Sequence, residues 1–246
     1  MSMKKGLNKW STFFHKWLGL AIGIQVVLWI LSGLIFTIWD IEVIRSEHTI
    51  AAQEPFIIDL SSPTLPPQSI LLTAGKEAHS IQLRGFMGNP VYEVDFGEDN
   101  PSLYDASSGE LLSPLGSEKA AEIAILGFNR EAQPSEPVWM TEYNMEYRAD
   151  FPLPVWKVDM NDEENMRLYV SPYTGEIFRR RSDRWRIFDF FWMLHIMDYE
   201  DRTDFNHPLL IFASVFALIF SITGIVMLFF RFKKKDFGLG GNGRKR

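Results

Sequence analysis

Trp17-Leu-Gly-Leu-Ala-Ile-Gly-Ile-Gln-Val-Val-Leu-Trp-Ile-Leu-Ser-Gly-Leu-Ile-Phe-Thr-Ile-Trp39 is a run of 23 residues without a charge. A second run of the same length spans Pro208 to Phe230. A helix rising 1.5 Å per residue needs about 20 residues to cross a hydrocarbon layer of roughly 30 Å, so each run is long enough to cross once. A buried helix of a soluble protein normally keeps polar residues along one face. These runs have only Gln25, Ser32 and Thr37, and Ser214, Ser221 and Thr223, the mild interruptions that membrane helices place between one another.

Charge sets the expected orientation. Lys4, Lys5, Lys9 and Lys16 give the first 20 residues +4, and the segment after Phe230 carries +6 through Arg231, Lys233, Lys234, Lys235, Arg244, Lys245 and Arg246 against Asp236. With −6 overall, the part between carries −16. Lys and Arg beside a span stay in the cytoplasm. Both ends are therefore expected in the cytoplasm of a bacterial inner membrane, with residues 40–207 in the periplasm. So acidic an exported segment argues against a nucleic-acid partner. The first run exceeds a signal-peptide core, so it reads as an uncleaved anchor. The chain has no cysteine, which excludes disulfides, chain-held iron–sulfur clusters, thiol nucleophiles and covalently attached c-type haem.

Between the spans the sequence repeats itself. Asn89-Pro-Val-Tyr-Glu-Val-Asp-Phe96 parallels Leu153-Pro-Val-Trp-Lys-Val-Asp-Met160, and Leu103-Tyr-Asp-Ala-Ser-Ser-Gly-Glu-Leu-Leu112 parallels Tyr169-Val-Ser-Pro-Tyr-Thr-Gly-Glu-Ile-Phe178. Each copy reads as an alternating strand, a polar turn, a second strand and a tight turn at Gly109 or Gly175. A helix is predicted before each, over 67–78 and over 117–128, the latter with Ser117 as N-cap. The fold class is an α+β extracytoplasmic domain of two repeats flanked by two transmembrane α-helices. The expected divisions are 1–16 cytoplasmic N-terminus, 17–39 first span, 40–63 linker, 64–181 duplicated domain, 183–200 interfacial helix, 208–230 second span and 231–246 basic cytoplasmic tail.

Five histidines carry the chemistry. His15, just before the first run, shares a helix face with Leu18, Gly19 and Ile22, and Gly19 would admit a flat macrocycle. It reads equally as an interfacial histidine beside Trp10 and Trp17. His195 is predicted within an aromatic stripe of Phe188, Phe191, Trp192 and Tyr199, where an imidazole needs a partner for its nitrogens. A haem iron would be one, and a snorkelling surface histidine is the alternative. His207, before Pro208, reads as a helix-start residue or a ligand. His48 and His79 read as solvated or structural, and the acidic Asp159, Asp162, Glu163 and Glu164 as a solvated turn rather than a metal site.

Tyr169-Val-Ser-Pro-Tyr-Thr-Gly-Glu-Ile177 resembles the strand–turn–strand signature of PepSY domains. His15-Lys-Trp-Leu-Gly19, Trp192-Met-Leu-His-Ile-Met-Asp-Tyr199, Asn206-His-Pro-Leu-Leu210 and Thr223-Gly224 resemble segments of short, two-helix members of the PepSY-associated transmembrane family. The resemblance implies two PepSY-like repeats and iron physiology, since members include haem b-dependent reductases of ferric iron and ferric siderophores. It implies that His195, His15 and His207 bind non-covalent haem b, His15 and His195 at opposite faces of the bilayer. Two ligands per haem and a good cofactor box then favour a homodimer with a four-helix bundle. Gly19, Gly23 and Gly33 would support close helix contact. The cytoplasmic segments are too short for a nicotinamide or flavin domain, so a separate electron donor, membrane quinol or a cytosolic reductant, is expected. The rival readings are a membrane-anchored PepSY-like module that binds or inhibits a partner, and a haem-free accessory subunit of a metal transporter.

Overall fold

The two apolar runs fold as helices, and the computed structural model extends the first well beyond its uncharged core. It describes residues 3–52, 55–57, 64–97, 100–149, 151–232 and 236. Part of the expected linker (Ser61, Ser62 and Pro63), the turn residues Glu98 and Asp99, and the tail residues Lys233, Lys234, Lys235, Arg244, Lys245 and Arg246 lie outside the described residues.

Helix α1 is Met3–Ile38, 36 residues and therefore about 54 Å long. The expected span began at Trp17. The lysine-bearing stretch before it is helical as well, because nothing in it breaks a helix except Gly6, which is tolerated. Helix α6, Pro208–Arg231, opens with proline in its first turn and matches the predicted second span. The two run antiparallel, since residues near the start of α1 meet residues near the end of α6. Their outer faces stay bare: Ile24 is 80% exposed and Phe229 79%. Such apolar faces are stable against lipid or another helix, and not against water.

The chain divides into two compact units, Met1–Ile38 with Asp189–Arg246, and Trp39–Phe188. The second unit holds two small antiparallel sheets. Strands β1 (Ser80–Phe86), β2 (Asn89–Asp95) and β3 (Ser102–Asp105) form one in that order. Strands β4 (Val138–Met140), β5 (Val155–Asp159), β6 (Arg167–Val170) and β7 (Ile177–Arg181) form the other. Strand period decides the layering. Tyr92 and Val94 of β2 turn to one face, where they pack with Ile70 of helix α3 (Pro67–Ala74). Val91 turns to the other, where it joins Leu103, Val158, Leu168 and Val170 around Ala120, Ile123 and Ala124 of helix α4 (Ser117–Leu126). Helix α4 thus contributes to one core shared by both sheets. The far face of the second sheet is closed by Tyr147, Val155 and Tyr169.

The two tight turns carry the same hydrogen bonds at positions 66 apart. Gly109 N donates to Asp105 O and Gly175 N to Ser171 O, and the Asp105 and Ser171 side chains each accept from the backbone of the two residues at the turn. Gly109 and Gly175 both take positive φ, 78° and 71°, which explains glycine at these positions.

Boundaries differ from expectation where caps intervene. Helix α3 stops at Ala74, because Gly75 adopts the left-handed conformation and its N–H bonds back to Leu71 O. Helix α4 is capped by Gly116 rather than Ser117, which already lies in the first turn. The start of the expected linker is structured: α2 (Ile41–Ile44) and a 3₁₀ turn (Glu47–Thr49) bury Ile44, and Ile50 pairs with Phe128. Helix α5 is Asp183–Ile196, four residues shorter than expected, because Met197 takes a positive φ of 58° and breaks the helix.

Candidate functional site

The histidines of the first unit are seated one by one. His15 lies on α1 with its ring stacked on Phe220 of α6, the centroids 4.2 Å apart and the planes 5° from parallel. Its Nδ1 is 3.0 Å from Phe220 O and 3.3 Å from Thr223 Oγ1. A carbonyl oxygen only accepts, so Nδ1 carries the proton and Nε2 holds the lone pair. Among the described residues Nε2 has no hydrogen-bond partner. Gly224 makes the seat possible: a Cβ there would lie 3.0 Å from His15 Cε1. The space beside Gly19, expected for a macrocycle, is taken by the Phe220 ring, which a Cβ on Gly19 would approach to 3.0 Å.

Replacing Gly224 with valine is expected to push the His15 ring off Phe220 at a cost of roughly 1–3 kcal/mol in packing. The ¹⁵N resonance of His15 Nδ1, recorded in selectively labelled protein, would then lose the signature of a bonded N–H.

His195, near the end of α5, is held through α1. Its Nδ1 lies 2.7 Å from Ser32 Oγ. Ser32 is fully buried, and its hydroxyl proton goes to Leu28 O at 2.8 Å, so the serine oxygen accepts from Nδ1–H. Again Nε2 holds the lone pair and has no hydrogen-bond partner among the described residues. Trp29 Nε1 donates to His195 O at 2.7 Å and Gln25 Nε2 to Leu194 O at 3.0 Å, so three polar groups of α1 bind the end of α5. The aromatic rings around the imidazole are Phe36 at 5.4 Å and Trp29 at 6.5 Å. They come from α1, not from the stripe expected on its own helix. Tyr199 falls beyond the break at Met197 and is 48% exposed.

His207 is turned differently. Its Nε2 donates to Ile196 O at 2.9 Å, tying the first position before α6 to the end of α5 and leaving Nδ1 as its open nitrogen. The intervening loop is folded around Asp198, whose carboxylate accepts from the backbone of Thr203 and Asp204. Arg202 pairs with buried Asp189.

His15 and Ser32 are 17 residues apart on one helix, which separates the two seats by about 25 Å. The structure brings His195 and His207 to the same end of the helix pair and keeps His15 at the other. Sequence reading missed Ser32, Trp29, Phe220 and Gly224 as seats, although Thr223-Gly224 had drawn attention as a motif. In the second unit His48 is enclosed rather than solvated, with Nε2 3.7 Å from Glu164 Oε2. Asp162 caps Met166 N at 2.7 Å, Asp159 pairs with Arg167 and Glu164 with Arg130, so these acids hold their turn together. Among the described residues no group of three or more His, Cys, Asp or Glu is placed to hold a metal ion.

A pair of long apolar helices with bare outer faces, one near each end of the sequence and with a mixed α/β stretch between them in chain order, marks a membrane protein. The chain belongs to the family described as PepSY-associated TM region, whose model matches residues 12–246. No curated protein and no solved structure matches it.

Proposed function

We propose that this protein is a haem b-binding reductase of the bacterial inner membrane. In this reading it passes electrons outward to ferric iron or a ferric siderophore in the periplasm and so supports ferrous iron uptake. One observation carries the reading. His15 and His195 each have Nδ1–H fixed by an oxygen acceptor, while Nε2 has no hydrogen-bond partner among the described residues of this apolar helix pair. A polar nitrogen left without a partner among hydrocarbon costs at least about 1–3 kcal/mol. An imidazole whose second N–H is anchored on a carbonyl or hydroxyl is also the arrangement that orients a metal-ligating histidine. The donor set therefore fits a haem iron. A haem b held by these imidazoles would supply one-electron transfer.

The chain's own residues do the rest. Ser32 and the Phe220 carbonyl fix the ring orientations, and Gly224 makes room for His15. His207 orients the α5–α6 junction, with Nδ1 the nitrogen it has to offer. Two seats about 25 Å apart on one helix do not share an iron. Each then needs a second imidazole, and a second copy related by twofold symmetry supplies it, turning two helices into a four-helix bundle. Gly23 and Gly33 support this, because a Cβ on either would meet nothing within 4 Å in one chain. The basic flanks put both termini in the cytoplasm, and the Trp39–Phe188 unit, read as two PepSY-like repeats, in the periplasm. Electrons come from a separate donor.

The full chain purified in detergent is expected to be red, with a Soret band and an α band that sharpens on dithionite. It should hold about one haem per chain in a particle of dimeric mass, as two ligands per iron require. A colourless preparation that takes up no added haemin overturns the reading.

A further inference from the structure

The Trp39–Phe188 unit contains a cleft of about 1270 Å³, lined by β1 and the β1–β2 turn on one side and by α4, the β6–β7 turn and β7 on the other. Its apolar wall includes Phe56, Phe86, Ile123, Leu126 and Ile177. Two arginines line it, and their circumstances differ. Arg84 is satisfied: Nε donates to Glu93 Oε2 at 2.7 Å and Nη2 to Thr174 O at 2.6 Å. Arg180 donates Nη2 to Gly127 O at 3.0 Å, but among the described residues its buried Nη1 has no hydrogen-bond partner and no carboxylate within ion-pair distance. Burial alone pushes the Arg180 guanidinium below its ordinary value, and no neighbouring acid offsets it. A buried cation without a counter-charge is costly to keep unless something pairs with it. Glu176, which also lines the cleft, is exposed to solvent.

We propose that this cleft binds a small organic monoanion, whose carboxylate docks on Arg180 while its flat apolar body lies against Phe56, Phe86, Ile123 and Ile177. One uncompensated cation calls for one negative charge, since Glu93 already balances Arg84. A guanidinium edge takes a carboxylate in a charge-assisted hydrogen bond. A small ligand fits better than an extended peptide. The Arg84–Thr174 bond reaches from β1 to the β6–β7 turn, and a strand running along the free edges of β1 and β7 would have to break it. The proposal is independent of haem, because no residue of the helix pair enters it.

The test uses the full chain in lipid nanodiscs, with empty nanodiscs subtracted, and titrates 2-naphthylacetate and the neutral 2-naphthylacetamide by calorimetry. The acetate is expected to bind at least about tenfold tighter than the amide. Arg180→Gln should bring the acetate down to the level of the amide, while Arg180→Lys keeps part of the difference. Because Arg180 also bonds to the backbone, a second variant guards against misfolding. Leu126→Glu, at a position 55% exposed, places a competing carboxylate in the cleft and should weaken the acetate at least about tenfold, and by more than it weakens the amide. Equal binding of the two probes, or acetate binding that survives both Arg180→Gln and Leu126→Glu, overturns the proposal. An end-blocked octapeptide that binds while the acetate gives no heat also overturns it, in favour of strand docking.

Discussion

Replacing His195 with alanine in the purified full chain is expected to remove one of two haem signals, and replacing His15 to remove the other. The double variant should be colourless. The expectation follows from the placement of the two seats on one helix, about 25 Å apart, each with its own anchoring oxygen. Ser32→Ala should act more mildly. It leaves Nε2 of His195 in place but removes the acceptor for Nδ1–H, and loss of such an anchoring partner typically weakens metal binding by about 10–100-fold. The measurement is a haem titration followed in the Soret region, paired with a circular dichroism spectrum to show that the helices persist. If His195→Ala and His15→Ala both keep the full spectrum of the unmodified protein, these histidines are not the ligands.

The second large effect lies in the other unit. Replacing Glu146 with alanine is expected to destabilise the Trp39–Phe188 unit by roughly 3 kcal/mol, the low end of the range for breaking a buried pair, because its arginine partners are partly exposed. Glu146 accepts from Arg167 Nη1 and Arg186 Nε, each at 2.8 Å, and from the buried Tyr169 hydroxyl at 3.0 Å, while its backbone carbonyl accepts from Arg181. Burial alone would raise the Glu146 carboxyl. The hydrogen bond and charge of Arg186, then the charge of Arg167, outweigh it and hold the group below the ordinary value of 4.5. Burial and the neighbouring Glu146 charge push the Tyr169 hydroxyl far up, so it stays a donor. The sign is fixed by the depressed carboxyl. Its stabilisation is fully present above pH 4.5 and fades as pH falls through the lower folded value. Chemical unfolding of the unmodified chain and of Glu146→Gln, followed by tryptophan fluorescence, should show a gap near neutrality that closes in acid. A gap independent of pH would mean that the carboxylate charge is not what matters.

Much of this architecture was legible from local pattern. The two apolar runs announced their helices because charge is expensive in lipid and so is missing from them. Val91, Tyr92 and Val94 announced a strand by alternation, and Gly109 and Gly175 announced turns that need positive φ. The lysines before Trp17 hid the full length of α1, since charge marks the edge of lipid and not the end of a helix. The fold of residues 41–52 was hidden for another reason: Ile50 pairs with Phe128 and Thr49 O accepts from Asn129 N, both far along the chain. The candidate site divides the same way. His15 and His195 stood out because imidazoles are unusual in apolar surroundings. Their seats did not, because Ser32 and Phe220 lie 163 and 205 residues from the rings they hold. No periodicity links such positions.

The position of α4 has a bearing on how the Trp39–Phe188 unit comes apart. Ala120, Ile123 and Ala124 lie in one core that takes side chains from both sheets, so neither sheet owns its interior outright. Peeling one sheet away would open that oily surface to water on the piece left behind, which ties the melting of the first sheet to that of the second.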